Sequence, residues 1–219
     1  MYHRGYGSHS KKPVPEGTPP QTYLAGGTAV ALHLGHRLSV DLDFFTPHDL
    51  DSLQWHKGLQ TAFSGDFTLS AEKIERNTLV VTLNNTGFSL FSYPYDLMDA
   101  PVTEDFLPTP VASLRDLALM KLIAINQRGA CKDFIDLKFI MESAGLTFKA
   151  LLPDISRKYA VDEEIFFQLK KSLIYFDDAE RDSNVNMYTT DRGGFERLTE
   201  DTWRDTKRYF EEMVMAGKF

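Results

Sequence analysis

Residues 22–46, TYLAGGTAVALHLGHRLSVDLDFFT, constrain the fold more than any other stretch. Tyr23, Leu24 and Ala25 form a short apolar run ending in the pair Gly26-Gly27. Ala29 to Leu34 are good helix formers, and Gly35 suits a left-handed C-terminal cap. From Ser39 to Phe45 the pattern alternates, with Val40, Leu42 and Phe44 on one face and Asp41 and Asp43 on the other. The spacing predicts strand, glycine turn, short helix and strand. Two carboxylates two residues apart on a strand lie roughly 7 Å apart at Cα, from a rise of ~3.3 Å per residue. Oxygens at that separation can share one hard divalent cation. A glycine pair ahead of a helix lets something approach the backbone closely and leaves N–H groups facing an anion. Phosphate beside metal-binding carboxylates is the chemistry of nucleotidyl transfer. The same residues also fit a plain turn and a solvated strand face. However, Asp41 and Asp43 repel each other with no basic residue between them.

Length and charge narrow the possibilities. A chain of 219 residues can bury a substantial core. No apolar run approaches the ~18 residues of a membrane span, and the N-terminus lacks a signal-peptide core. The one cysteine, Cys131, excludes an internal disulfide and a cysteine-based zinc site, and fits a reducing cytoplasm. The net charge of −7 argues against broad, non-specific nucleic-acid binding. Residues 1–22 are themselves net basic, with Arg4, Lys11 and Lys12 against Glu16, so the body is more acidic than the whole.

Along the chain, residues 1–21 are rich in Gly, Ser, Pro and His and read as a flexible lead-in. Residues 22–110 read as an α/β core. It contains a helix over 49–64, a strand over 66–75, and strands over 78–83 and 88–93 joined by the turn Asn84-Asn85-Thr86-Gly87. A proline-bearing connector follows, with a short strand at Val111. Residues 111–219 read as helical. Helices are predicted over 114–127 behind the cap Ser113 and over 132–143 ahead of Gly145. A third follows Thr147, with its course past Pro153 undecided, and others cover 162–175 and 203–215. Residues 177–194 are polar and read as a loop.

A second constellation lies in the helical half. The helix from Leu114 is apolar almost all round, and Lys121 and Arg128 stack on one stripe of it, seven residues apart. A cation facing inward wants an anion. That anion can be a nucleotide phosphate or an acidic side chain of the chain itself. Asp133 and Asp136 share the next helix's face. Asp133 also suits the helix dipole, and Lys132 can pair with Asp136.

The motif Gly26-Gly27-Thr28, twelve residues, Asp41-Leu42-Asp43 resembles the first motif of the DNA polymerase beta-like nucleotidyltransferases. YLAGGTAVALHLGHRLSVDLDFF, including His36-Arg37, is similar to the AbiEii/AbiGii toxin family of that superfamily. Lys121, Arg128, Lys132, Asp133 and Asp136 match that family's second signature. The Asp177-to-Glu180 segment and the closing helix with Trp203 look like its C-terminal part. The likeness thus spans roughly residues 22–215.

The resemblance implies a mixed nucleotidyltransferase sheet with flanking helices, followed by a mostly helical half. It implies that Gly26, Gly27 and Thr28, with Lys121 and Arg128, hold a nucleoside triphosphate. Asp41 and Asp43 would hold Mg²⁺ or Mn²⁺, and Asp133 or Asp136 would orient the acceptor or act as base. The implied role is the toxin of a toxin–antitoxin or phage-defence pair. Its partners would be an NTP, an RNA (tRNA-like) or protein acceptor, and a cognate antitoxin, with no membrane. Superfamily members usually carry a third carboxylate on a neighbouring strand. Here the expected strand, 88–93, holds Ser89 and Ser92 but no acid, and Asp96 and Asp99 follow it past Pro94. That departure keeps open a catalytically weakened nucleotide-binding or interaction module on the same fold.

Overall fold

The computed structural model describes residues 18–215 apart from 64, 66–67, 104, 106, 182 and 190–192. Most of the lead-in expected over 1–21 therefore lies outside the described residues. The first half runs β1 (Tyr23–Ala25), α1 (Gly26–Leu34), β2 (Leu42–Thr46), α2 (Ser52–Ala62), β3 (Leu69–Glu75), β4 (Thr78–Leu83) and β5 (Thr86–Ser92). These strands form one mixed sheet in the order β1-β2-β5-β4-β3, in which β2 and β5 run parallel and the other neighbours antiparallel. The second half runs α3 (Leu114–Gln127), α4 (Cys131–Ala144), α5 (Phe148–Tyr159), α6 (Glu164–Leu173), α7 (Asp177–Arg181), β6 (Asn186–Thr189), β7 (Gly194–Arg197) and α8 (Glu200–Met215). No helix of the described residues is long and apolar enough to cross a membrane.

Local chemistry explains most boundaries. Gly35 caps α1 in the left-handed region at φ 61°, and its N–H returns to the Ala31 carbonyl. Asn84 (φ 48°) and Asn85 (φ 69°) supply the two positive φ angles of a tight β4–β5 hairpin. Ser113 and Thr147 cap α3 and α5 by accepting from the N–H three residues on. α5 continues through Pro153. Leu151 and Ile155 are buried on either side of it, and that burial offsets the lost backbone bond. Val111 bridges both Leu24 and Val102, which docks the connector beside β1.

One face of the sheet covers α2 in a small core of Leu50, Trp55, Leu59, Leu79, Val81 and Leu90. The main core joins Tyr23, Leu24, Ala29 and Val30 of β1 and α1 to Leu117, Leu122, Phe134 and Ile135 of α3 and α4. Sheet gives way to helix near residue 110, yet the two halves share this core. A buried pair reinforces it: Asp116 accepts from Lys158 Nζ of α5 (2.8 Å) and from the Met98 and Asp99 N–H groups of the connector.

Two expectations need correction. The second strand begins at Leu42 and not at Ser39, because Thr28 and the β6–β7 hairpin hold residues 37–41 in other pairings. Residues 177–194 are not a plain loop. They contain α7 and β6, and β6 adds to the chain at 36–38 through Leu38 N–H to the Asn186 carbonyl (2.8 Å) and Tyr188 N–H to the His36 carbonyl (2.9 Å). Buried Val185 and Met187 are too few to reveal a strand by periodicity.

Candidate active site

The open face of the sheet carries the chemistry. Asp43 lies mid-β2, with Ala25 of β1 on one side and Ser89 of β5 on the other as direct strand partners. Asp41 precedes β2 and is exposed, and its Oδ1 accepts from the Gly87 N–H (3.1 Å). The two acids line a cleft of about 410 Å³ with Gly26, Gly27, Lys121, Arg128 and Lys132. Arg37 and Ser39 also line it. So do Glu72, Thr82, Asn85 and Gly87, which no sequence motif marks. Those four come from β3, β4 and the hairpin, and only sheet register brings them to the cleft.

The glycine pair makes room for the protein's own side chains. A Cβ on Gly26 would stand 2.6 Å from Asp43 Oδ2, and one on Gly27 2.2 Å from Arg37 Nη2. Gly26 also has φ +68°, which glycine adopts freely. The N-cap residue Ala25 makes no side-chain cap bond to α1, whose first two residues line the cleft. The Thr28 hydroxyl is otherwise engaged. It bonds Ser39 Oγ (2.9 Å) and the Asp41 carbonyl, and so pins the loop that presents Asp41.

Asp133 and Asp136 are fully buried behind the cleft and do not line it. Asp136 accepts from His36 Nε2 (2.8 Å), Arg37 Nε (2.6 Å) and Nη2 (2.8 Å), and Lys121 Nζ (2.7 Å). Asp133 accepts from Lys121 Nζ (2.8 Å) and from Arg128 Nε (2.8 Å) and Nη2 (3.0 Å). Every donor in that set except His36 belongs to a cation that also lines the cleft. The two acids therefore brace the basic wall from behind and do not themselves face the cleft. Lys132 faces the cleft instead of pairing with Asp136, because Arg37 and Lys121 occupy that carboxylate. Among the described residues Asp133 and Asp136 take two of the three N–H donors of Lys121.

Electrostatics follow this arrangement. Burial pushes the Asp136 carboxyl up, but Lys121, Arg37 and His36 outweigh it and hold the group well below the usual range. Asp133 is likewise held low against burial by Lys121 and Arg128. Lys121 is held above its ordinary value because Asp136 and Asp133 overcome its desolvation. Asp43 moves the other way. Burial raises it and Asp41 adds to the rise, while the Ser89 hydroxyl bond and Lys121 only partly oppose it. Among the described residues no group of three or more His, Cys, Asp or Glu is placed to hold a metal.

A sequence profile for nucleotidyl transferase AbiEii toxins of type IV toxin–antitoxin systems matches residues 15–101 and 85–216, most of the chain. The chain belongs to the AbiEii family. The AbiEii match includes the residues that line the cleft. The chain is similar to the uncharacterized Aquifex aeolicus (strain VF5) protein aq_aa25, at 35% identity over 192 residues, 86% of this chain and 88% of that one. Its fold resembles that of JHP933 from Helicobacter pylori (TM-score 0.50, 14% identity, 90% of this chain and 84% of that one). MenT4, the nucleotidyltransferase toxin Rv2826c from Mycobacterium tuberculosis, gives a TM-score of 0.44 at 15% identity, over 89% of this chain and 75% of that one.

Proposed function

We propose that this AbiEii-family protein transfers a nucleoside monophosphate from an NTP, with Mg²⁺ or Mn²⁺, to a nucleic-acid (tRNA-like) or protein acceptor. Its role would be the toxin of a bacterial toxin–antitoxin or phage-defence pair in the cytoplasm, with a cognate antitoxin as partner. The observation that carries the reading is one cleft in which Asp41 and Asp43 face Arg37, Lys121, Arg128 and Lys132 beside the uncapped start of α1. That juxtaposition suits a polyphosphate held at its charges next to a cation site.

The residues fit a hard divalent ion. Asp43 lines the cleft, where burial raises its carboxyl against the Ser89 hydroxyl bond and the Lys121 and Lys132 charges. Asp41 offers exposed oxygen, and phosphate and water oxygens would complete the set. The ion would supply charge neutralisation at the α-phosphate. The α1 N–H groups at Gly26 and Gly27 orient the triphosphate, and Thr28 holds the Asp41 loop in place. Lys121 and Arg128 face the charge that develops on the departing group. An acceptor hydroxyl oxygen bonds to the α-phosphorus and gives its proton to solvent. The bond to the β-phosphate oxygen breaks, and pyrophosphate leaves. Asp133 and Asp136 act as positioning residues for the cations.

Ser89 motivates a second reading, a nucleotide-binding module with weakened transfer, because it stands beside Asp43 where a third acid is expected. Thermal melts with Mg²⁺ and each of the four NTPs test binding, since a ligand of the native state raises the midpoint by mass action. Incubation with labelled NTP and cell RNA or lysate tests transfer. Label incorporation that Asp43→Ala abolishes supports the enzyme. A melting shift without incorporation supports the module, and neither result would refute both.

A further inference from the structure

The cleft is divided by charge. Its cations come from the α1–β2 link (Arg37), from α3 and its C-cap (Lys121, Arg128) and from α4 (Lys132). The flank built by β3, β4 and their hairpin to β5 adds no cation among the described residues and one acid, Glu72. Glu72 has no register partner. Ala71 pairs with Val81 and Lys73 with Val80, so Glu72 is the extra residue of a bulge. A bulge re-aims a side chain, and here the Glu72 carboxylate accepts from the Thr82 hydroxyl of β4. Thr82 is the register partner of Gly87 on β5, and the Gly87 N–H holds Asp41 Oδ1 (3.1 Å). A Cβ on Gly87 would stand 2.7 Å from that same oxygen, so the Asp41 carboxylate lies over β5 at this point. Glu72 and Asp41 thus reach over neighbouring strands, which lie ~4.8 Å apart.

We propose that this flank receives the acceptor and that Glu72 is the general base for its hydroxyl, an assignment that rests on the nucleotidyl-transfer reading of the cleft. The cations draw the triphosphate to their own side, so the cation-poor flank is the one left to the acceptor. A hydroxyl oxygen above the Thr82–Gly87 pair can stand at hydrogen-bond distance, ~2.7 Å, from the Glu72 carboxylate, which is the reach proton transfer needs. The other acids are committed. Asp133 and Asp136 are buried behind the basic wall, and Asp41 and Asp43 hold the cation on that reading. Among the described residues no three acids converge on a metal position, which separates Glu72 from a third metal ligand. Glu72 is exposed on the edge strand β3, and the neighbouring Lys73 pairs with Glu75 (3.2 Å) instead. In the step, the acceptor oxygen bonds to the α-phosphorus and its proton passes to Glu72. The bond to the β-phosphate oxygen breaks with its electron pair on pyrophosphate, and Glu72 then releases the proton to solvent. Thr82 is a positioning residue that orients the carboxylate. The acid that Ser89 leaves missing from β5 is supplied from two strands away.

Initial rates of transfer from α-labelled NTP in Mg²⁺ and clarified cell lysate, measured across pH beside NTP-dependent thermal melts, test the assignment. Glu72→Gln should fold, since the residue is exposed, and should keep the wild-type melting shift with NTP. Its transfer rate should fall about a hundredfold or more, the value of a general base. Its rate should also keep climbing with pH, about tenfold per unit, where wild type levels off, because hydroxide replaces the lost base. A merely structural role would leave the two pH profiles parallel. Glu75→Gln changes an exposed acid of the same strand that does not line the cleft, and should transfer at the wild-type rate. A Glu72→Gln rate within threefold of wild type, parallel pH profiles, or loss of the NTP melting shift together with the rate overturns the assignment. Absence of label transfer by wild type from any NTP would instead overturn the nucleotidyl-transfer reading beneath it.

Discussion

Asp136→Asn is the substitution whose outcome follows most directly from the geometry. The residue is 0% exposed, and its carboxylate collects Arg37, Lys121 and His36 at 2.6–2.8 Å. Asparagine keeps the shape but removes the charge and turns one acceptor oxygen into a donor facing cations. Asp133 still holds Lys121, whereas Arg37 exchanges a two-point ionic contact for a single bond to the remaining amide oxygen, beside its bond to the Leu38 carbonyl (3.0 Å). Breaking one partner of a buried ion pair costs about 3–5 kcal/mol. For a chain of this size that is about 6–20 °C of melting temperature, at about 2–4 °C per kcal/mol. The loss is a large fraction of the about 5–15 kcal/mol that stabilises a domain. Thermal and urea melts followed by circular dichroism supply the number. A paired replacement isolates the cause: Lys121→Met with Asp136→Leu removes both charges and should be less destabilising than the two single changes summed. A melting point for Asp136→Asn within 2 °C of wild type, or strict additivity in the pair, would refute the bracing role.

Three further outcomes follow from the same geometry. Asp133 and Asp136 titrate below their unfolded values, so their stabilisation is complete above an unfolded carboxylate pKa of about 3.9 and is lost as pH falls through the folded values. An acid titration of wild type should fall steeply below about pH 4, and an equally steep fall for Asp136→Asn would contradict this. Asp43 has the opposite sign, since its raised folded value makes the ionised form costly at neutral pH. Asp43→Asn should therefore melt higher than wild type at pH 7 without Mg²⁺, and a lower melt would count against the desolvated carboxylate. Gly27→Ala sets a helix-propensity gain of about 1 kcal/mol against a Cβ placed 2.2 Å from an Arg37 guanidinium that Asp136 holds fast. Overpacking of about 1–3 kcal/mol should win, and a urea midpoint above wild type would show that Arg37 moves freely.

Features set by neighbouring residues were readable from the sequence. Gly35, Ser113, Thr147 and the Asn84-Asn85 turn each carry their conformation in their own chemistry, and their elements lie where expected. The pairing of Asp41 and Asp43 with Lys121 and Arg128 in one cleft followed from the family likeness. What the sequence concealed depends on contacts remote along the chain. Asp133 and Asp136 share a helix face with acceptor-like spacing, but Arg37, a residue about a hundred positions earlier, closes one of them off. Thr28 looks like a phosphate ligand until the Asp41 carbonyl is found on its hydroxyl. Glu72 reaches the cleft at an irregularity in the β3–β4 register that no periodicity announces.

On the proposed function, the cleft moves the nucleotidyl group and not the terminal phosphate. Parallel incubations with NTP labelled at the α- or the γ-phosphate, Mg²⁺ and cell RNA or lysate measure this directly. Nucleotidyl transfer leaves α-label fixed to the acceptor, γ-label recovered as pyrophosphate, and no incorporation with Asp43→Asn. γ-Label on the acceptor, or α-label that persists in Asp43→Asn, would contradict it.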